Sequence, residues 1–186
     1  AEITAEYLNA AVVAHECNDT YKIICSGDSV WKVTYDGSIK CQKKEGGRKI
    51  HAESTYSVEV VSPVLLYRED MEKVQGLMRR LRRAGGFANK SCGIHIHLDG
   101  SSHTPRSIWN FVNIIASRND LFYKALQIAP ERMRYCKKMD ALLVKRMNEE
   151  KPKTFEQIEK VWYENYPGSH SRHYHDSRYH FLNLHS

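Results

Sequence analysis

Two periods of apolar recurrence run along this chain. From Ile3 to His15 the stripe Ile3, Tyr7, Ala10, Ala11 and Ala14 predicts a helix, broken at Asn18-Asp19. Tyr21 to Cys25 and Val30 to Tyr35 predict strands. Ser26-Gly27-Asp28 closes the first, and Asp36-Gly37-Ser38 follows the second with a tight-turn dipeptide. Lys43 to Arg48 reads as a flexible loop tip. Tyr56 to Pro63 predicts a strand with Val58 and Val60 on one face and Ser57, Glu59 and Val61 on the other, ended by Pro63. Glu69 to Ala84 carries Met71, Val74, Leu77, Met78 and Leu81 at helical spacing, with Gly85-Gly86 as its stop.

Asn89 to Asp99 returns to alternation. As a strand it sets His95, His97 and Asp99 on one face and Ile94, Ile96 and Leu98 on a core face, with the imidazoles ~7 Å apart. Beyond it, a helix capped by Ser101 to Pro105 buries Ile108, Phe111, Val112 and Ile115, and a further one runs from about Asn119 to Ile128. Lys137 to Asn148 predicts a basic amphipathic helix, and a capping box at Thr154 to Gln157 opens another that reaches about Asn165. Arg178 to Leu184 reads as a strand, with Tyr179, Phe181, Asn183 and His185 on one face and His180, Leu182 and Leu184 on the other. The order predicts an α+β fold with a mainly antiparallel sheet packed with helices, forming a single domain over residues 1–186.

Composition narrows the class. The 186 residues are 41% apolar and 27% charged, as in an ordinary globular chain. No segment approaches the ~20 apolar residues of a membrane span, and nothing resembles a signal peptide. The five cysteines (Cys17, Cys25, Cys41, Cys92 and Cys136) are scattered and odd in number, which favours reduced thiols in the cytoplasm. The chain lacks an initiator Met, and a strand-like pattern runs to its end, so it reads as a processed or shortened piece. A net charge of +6 suits an anionic partner: a nucleotide, a nucleic acid or an acidic substrate. The run Arg79, Arg80, Arg82 and Arg83 reads first as a solvated helix end favoured by the macrodipole, and second as a phosphate patch.

Four places hold candidate chemistry. Neutral imidazoles at His95 and His97 beside Asp99 suit a divalent cation, or a cation and the phosphate it holds; a half-exposed polar strand face is the plainer account. Glu59, inside a strand, is costly to bury unless a cation meets it, and a solvated sheet face is equally compatible. Asp36 is explained by turn chemistry alone. The histidines at 170, 173 and 175 could bind a metal, with an exposed polar loop as the plainer account.

Four pieces follow one another in order: Trp31 with Asp36-Gly37-Ser38, Glu59-Val60-Val61-Ser62-Pro63, Cys92-Gly93-Ile94-His95-Ile96-His97, and Arg178-Tyr179 with Asn183-Leu184-His185. This series resembles the amidoligases, a branch of the carboxylate–amine ligases with a glutamine-synthetase-like catalytic fold. The resemblance implies an antiparallel sheet cupping a site for ATP and divalent metal, usually magnesium, with manganese or zinc as alternatives. It also implies a helical insertion, here at about 105–166. Glu59 then matches a metal carboxylate and His95 a metal-ligating imidazole. His97 lies beside the nucleotide phosphates, Arg178 binds phosphate, and Asn183 and His185 face the site. Asp36 and Ser38 lie near the metal or the substrate carboxylate.

The implied reaction joins a carboxylate to an amine through an acyl phosphate, on small molecules or on a peptide or protein. No covalent enzyme nucleophile is needed. The family opens with a Glu-x-Glu strand, where this chain reads Ala1-Glu2-Ile3-Thr4, and continues into a Glu-x-Arg strand beyond Ser186. Missing carboxylates would disfavour magnesium. A catalytically incomplete, ligase-like module that binds protein or nucleic acid is therefore the first alternative, and a histidine-liganded metal hydrolase the second. Unpaired edge strands leave oligomerisation open. No membrane partner is expected.

Overall fold

A computed structural model describes residues 1–14, 19–164 and 176–184. The chain divides into two compact units, Ala1–Gly93 and Ile94–Ser186. Antiparallel sheets and five α-helices place it in the α+β class.

The first unit is a sheet with two helices on one face. Helix α1 (Glu2–Leu8) ends at Asn9, whose φ of 50° is left-handed. Strand β1 (Ala11–Ala14) follows directly and pairs antiparallel with β2 (Tyr21–Ile24). The helix expected up to His15 therefore stops early. An alanine-rich stretch suits either state, and pairing with β2 decides for the strand.

Strands β3 (Val30–Tyr35) and β6 (Val58–Val61) complete the sheet, in the order β1-β2-β3-β6. Between them, β4 (Gln42–Glu45) and β5 (Arg48–His51) form a separate hairpin. Its turn is Gly46-Gly47, both with positive φ (54° and 79°), as a two-residue hairpin turn of this hand demands. The expectation of a flexible loop tip at Lys43 to Arg48 is thus corrected.

Helix α2 (Tyr67–Arg83) has Glu69 and Asp70 in its first turn and Arg80, Arg82 and Arg83 in its last, the charge order its macrodipole favours. It ends in a Schellman motif: Gly86 N–H donates to Leu81 C=O at 2.9 Å, Gly85 N–H donates to Arg82 C=O at 3.1 Å, and Gly85 has a φ of 97°. Leu77 is buried with Ala5, Ile23, Trp31 and Val33, while Val60, Val74 and Leu81 pack around them. Full burial of an aliphatic such as Ile23 or Leu77 stabilises by about 1.5–3 kcal/mol. The helices therefore cover the face carrying Ile23, Trp31, Val33 and Val60, and the other face is left open.

The second unit is mostly helical. Thr104 and Ser107 form a reciprocal capping box with Pro105 at the first helical position, opening α3 (Pro105–Ala125). The helix expected after Pro105 and the one expected from about Asn119 are one, running unbroken through Arg118-Asn119-Asp120. Asp140 accepts from the N–H groups of Leu142 (2.7 Å) and Leu143 (3.2 Å) and starts α4 (Ala141–Glu150). Thr154 accepts from Gln157 N–H at 3.3 Å at the head of α5 (Phe155–Glu164). Val112, Ile115, Met139, Leu143, Met147, Ile158, Val161 and Trp162 make its core.

Two expected strands do not form. Residues 94–100 have no regular structure, and Ile94, Ile96 and Leu98 are 88%, 79% and 67% exposed. Alternation makes a strand only where a neighbour completes its hydrogen bonds, and among the described residues none does so here. Asp176–Tyr179 forms a short 3₁₀ turn, and His180 makes only an isolated parallel bridge to Lys137. Among the described residues no helix is long and apolar enough to cross a membrane.

Candidate functional site

The open face of the four-stranded sheet is set by register. Directly opposed pairs on it are Val13 with Lys22, Lys22 with Lys32, Lys32 with Val61, and Thr34 with Glu59. Opposed residues in an antiparallel sheet share a face. The carboxylate of Glu59 and the amines of Lys22 and Lys32 therefore stand on one surface, opposite the helices. Glu59, Lys32, Val13 and Val61 are exposed, and Lys22 and Thr34 are half-buried. Among the described residues the side chains of Glu59, Lys22 and Lys32 have no hydrogen-bond or ion-pair partner. Thr34 shares a 2.7 Å hydroxyl hydrogen bond with Thr20.

Asp36 follows β3. Its Oδ1 accepts from Ser38 N–H at 2.8 Å and its carbonyl from Ile39 N–H at 3.1 Å, a turn closed by its own side chain. The same carbonyl accepts from the buried Ser57 hydroxyl, which ties the turn to the start of β6. A third segment joins them: Asn89 Nδ2 donates to Lys40 C=O at 2.8 Å, and Lys40 N–H donates to Ser91 Oγ at 2.8 Å. Asn89 Oδ1 also accepts from Ser91 N–H at 2.8 Å, shaping the loop that leads to Cys92-Gly93. The Asp36 turn, the start of β6 and the loop that leads to Cys92-Gly93 are thus linked within the first unit.

His95 and His97 lie in the second unit, on the exposed segment without strand structure. Asp99, expected on a face with them, is engaged elsewhere. It accepts from Ser101 N–H (2.9 Å) and Ser101 Oγ (2.8 Å). Those bonds, the backbone one first, hold its carboxyl below the usual carboxylate range, with His103 adding to the same shift against a small desolvation.

Arg178 lies within the 3₁₀ turn with its guanidinium 5.4 Å from the Tyr179 ring centroid, and Asn183 is exposed. Their segment is held by two bonds. Lys137 N–H donates to Tyr179 C=O at 2.7 Å, and Phe181 N–H donates to Lys137 C=O at 2.8 Å. Phe181 stacks on Phe122. His185 and the histidines at 170, 173 and 175 lie outside the described residues.

A divalent cation would need several ligands from this set. Among the described residues no group of three or more His, Cys, Asp or Glu side chains is gathered to hold one. Glu59 alone falls short of the near-octahedral oxygen set that magnesium prefers.

Lys22 and Lys32 escaped sequence reasoning because nothing in their spacing marks them. The signal is the register that places them opposite each other beside Glu59.

A family described as "Putative amidoligase enzyme" has a model that matches residues 1–186, the whole chain. No curated protein and no solved structure matches it.

Proposed function

Because the chain belongs to the amidoligase family, we propose that it is an ATP-dependent ligase. It joins a carboxylate to an amine through an acyl phosphate, on a glutamine-synthetase-like scaffold. The observation that supports this most is the anchoring of the Asp36 turn, the Ser57–Glu59 stretch and the Asn89–Cys92 loop to one another, beside an open sheet face carrying Glu59.

Phosphoryl transfer asks chiefly for positioning and for neutralisation of phosphate charge. In this reading Arg178 and His97 meet the nucleotide phosphates, with Asn183 and His185 beside them. Asp36 and Ser38 border the substrate carboxylate, and Glu59 and His95 are the residues that would hold a divalent cation, magnesium before manganese or zinc, which would neutralise phosphate charge. The carboxylate oxygen attacks the terminal phosphorus of ATP and releases ADP. The amine then attacks the acyl carbon, loses a proton and displaces inorganic phosphate.

The test is release of ADP from ATP and magnesium across a panel of carboxylates, peptides included, and amines. Turnover that requires both a carboxylate and an amine is the expected result. No turnover with any pair, and no rise in melting temperature at millimolar nucleotide, would overturn the reading.

A second reading rests on α2, whose Arg79, Arg82 and Arg83 are exposed while Arg80 is tied to Glu6 at 2.7 Å. An inactive ligase-like module could bind a protein or nucleic acid through that surface. Salt-sensitive binding to nucleic acid without any ATP turnover would favour it.

A further inference from the structure

Lys22 and Lys32 face each other across β2 and β3 on the open face of the sheet. Directly opposed side chains in an antiparallel pair have Cβ atoms about 4.5–5.5 Å apart, and like charges so placed repel. Nothing described compensates this pair: neither amine has an ion-pair partner among the described residues. Glu59 is the nearest carboxylate in register. It opposes Thr34 and so stands diagonal to Lys32, without an ion pair to it.

Val13 and Val61 end the same row, one beside each lysine. Two ammonium groups carried on facing positions repel each other, and an anion with several oxygens that bridges them removes that repulsion.

We propose that Lys22 and Lys32 form a polyphosphate subsite on the open sheet face, holding the phosphate chain of a nucleotide. The inference rests on the ligase reading for its ligand, and it adds two residues that the sequence motifs do not include. Glu59 bounds the positive strip at one end. A polyphosphate would therefore lie towards Lys22 and the β1 side, with its reacting end nearest Lys32.

The experiment titrates inorganic tripolyphosphate, without nucleotide or metal, into the full chain by calorimetry. It compares Lys22→Gln, Lys32→Gln and, as a control of equal charge change on the separate hairpin, Lys49→Gln. The expected result is a loss of about tenfold or more for each of the first two and less than about twofold for the control. Without ligand, both single variants should melt no lower than the parent, since the repulsion is relieved. Equal losses in all three variants, unchanged affinity in Lys22→Gln and Lys32→Gln, or no binding by the parent would each overturn the subsite.

ADP release measured alongside separates the two ideas. Lysine-dependent tripolyphosphate binding without carboxylate-dependent ADP release keeps the subsite and removes the ligase reading. Turnover indifferent to both lysines does the reverse.

Discussion

The buried hydroxyl of Ser57 donates to the main-chain oxygen of Asp36, joining the end of β3 to the start of β6 through one side chain. Those segments hold two of the motifs that mark the family, so this bond fixes where Glu59 sits relative to the Asp36 turn. Replacing Ser57 by Ala removes one of the two donors to this carbonyl and leaves it the Ile39 N–H. The expected cost is about 0.5–1.5 kcal/mol. Urea unfolding should show a lower midpoint at unchanged slope. An unchanged midpoint would mean the bond contributes nothing.

Gly76 of α2 lies where Tyr7 of α1 crosses it, and a Cβ there would collide with the tyrosine hydroxyl. Alanine in a helix interior usually gains about 1 kcal/mol over glycine. Gly76→Ala should therefore lose most of that gain in the parent and show it in full when Tyr7→Ala is also present. Equal effects in both backgrounds, measured as a double-mutant cycle, would contradict the contact.

Tyr123 is buried and donates its hydroxyl proton to the Cys136 carbonyl. Burial first, then the charge of the Cys136 thiol and a side-chain hydrogen bond with it, push its ionisation up to about 12 from 10.0. The folded state then holds a proton that the unfolded state releases. Stability from this group is whole below pH ~10 and falls as pH rises from there to ~12. Thermal melts across that window should show a steeper decline for the parent than for Tyr123→Phe.

Residues 94–99 lack strand pairing, so their amides should exchange with solvent far faster than those of Ile23 and Trp31 in the middle of the sheet. Hydrogen exchange read by mass spectrometry or NMR checks this. Protection at 94–99 equal to that of β3 would show that the segment pairs as a strand after all.

Much of the fold was legible where one signal acted alone. Helix α2 has a long apolar stripe and a glycine stop, and β2, β3 and β6 have β-branched or aromatic centres. Elsewhere a second interaction outweighed the local pattern. Ala11 to Ala14 fits a helix by propensity and becomes a strand because β2 pairs with it. The Gly46-Gly47 hairpin carried its own turn signature beneath a run of charge, while the Ile94 to Leu98 alternation lacked the neighbour that alternation assumes.

The site divides the same way. Glu59 was conspicuous as a carboxylate inside an apolar strand, and Asp36 as a turn residue. Lys22 and Lys32 became visible only with register, because facing residues ten apart leave no mark in a linear pattern.

Mapping ATP onto the labelled protein by amide chemical-shift perturbation tests the location of the site most directly. The expected result is a cluster of shifts at Lys22, Lys32, Thr34, Glu59 and Val61, on the open side of the sheet. Shifts confined to the helix-covered side around Leu77 and Tyr7, or none at saturating nucleotide, would contradict it.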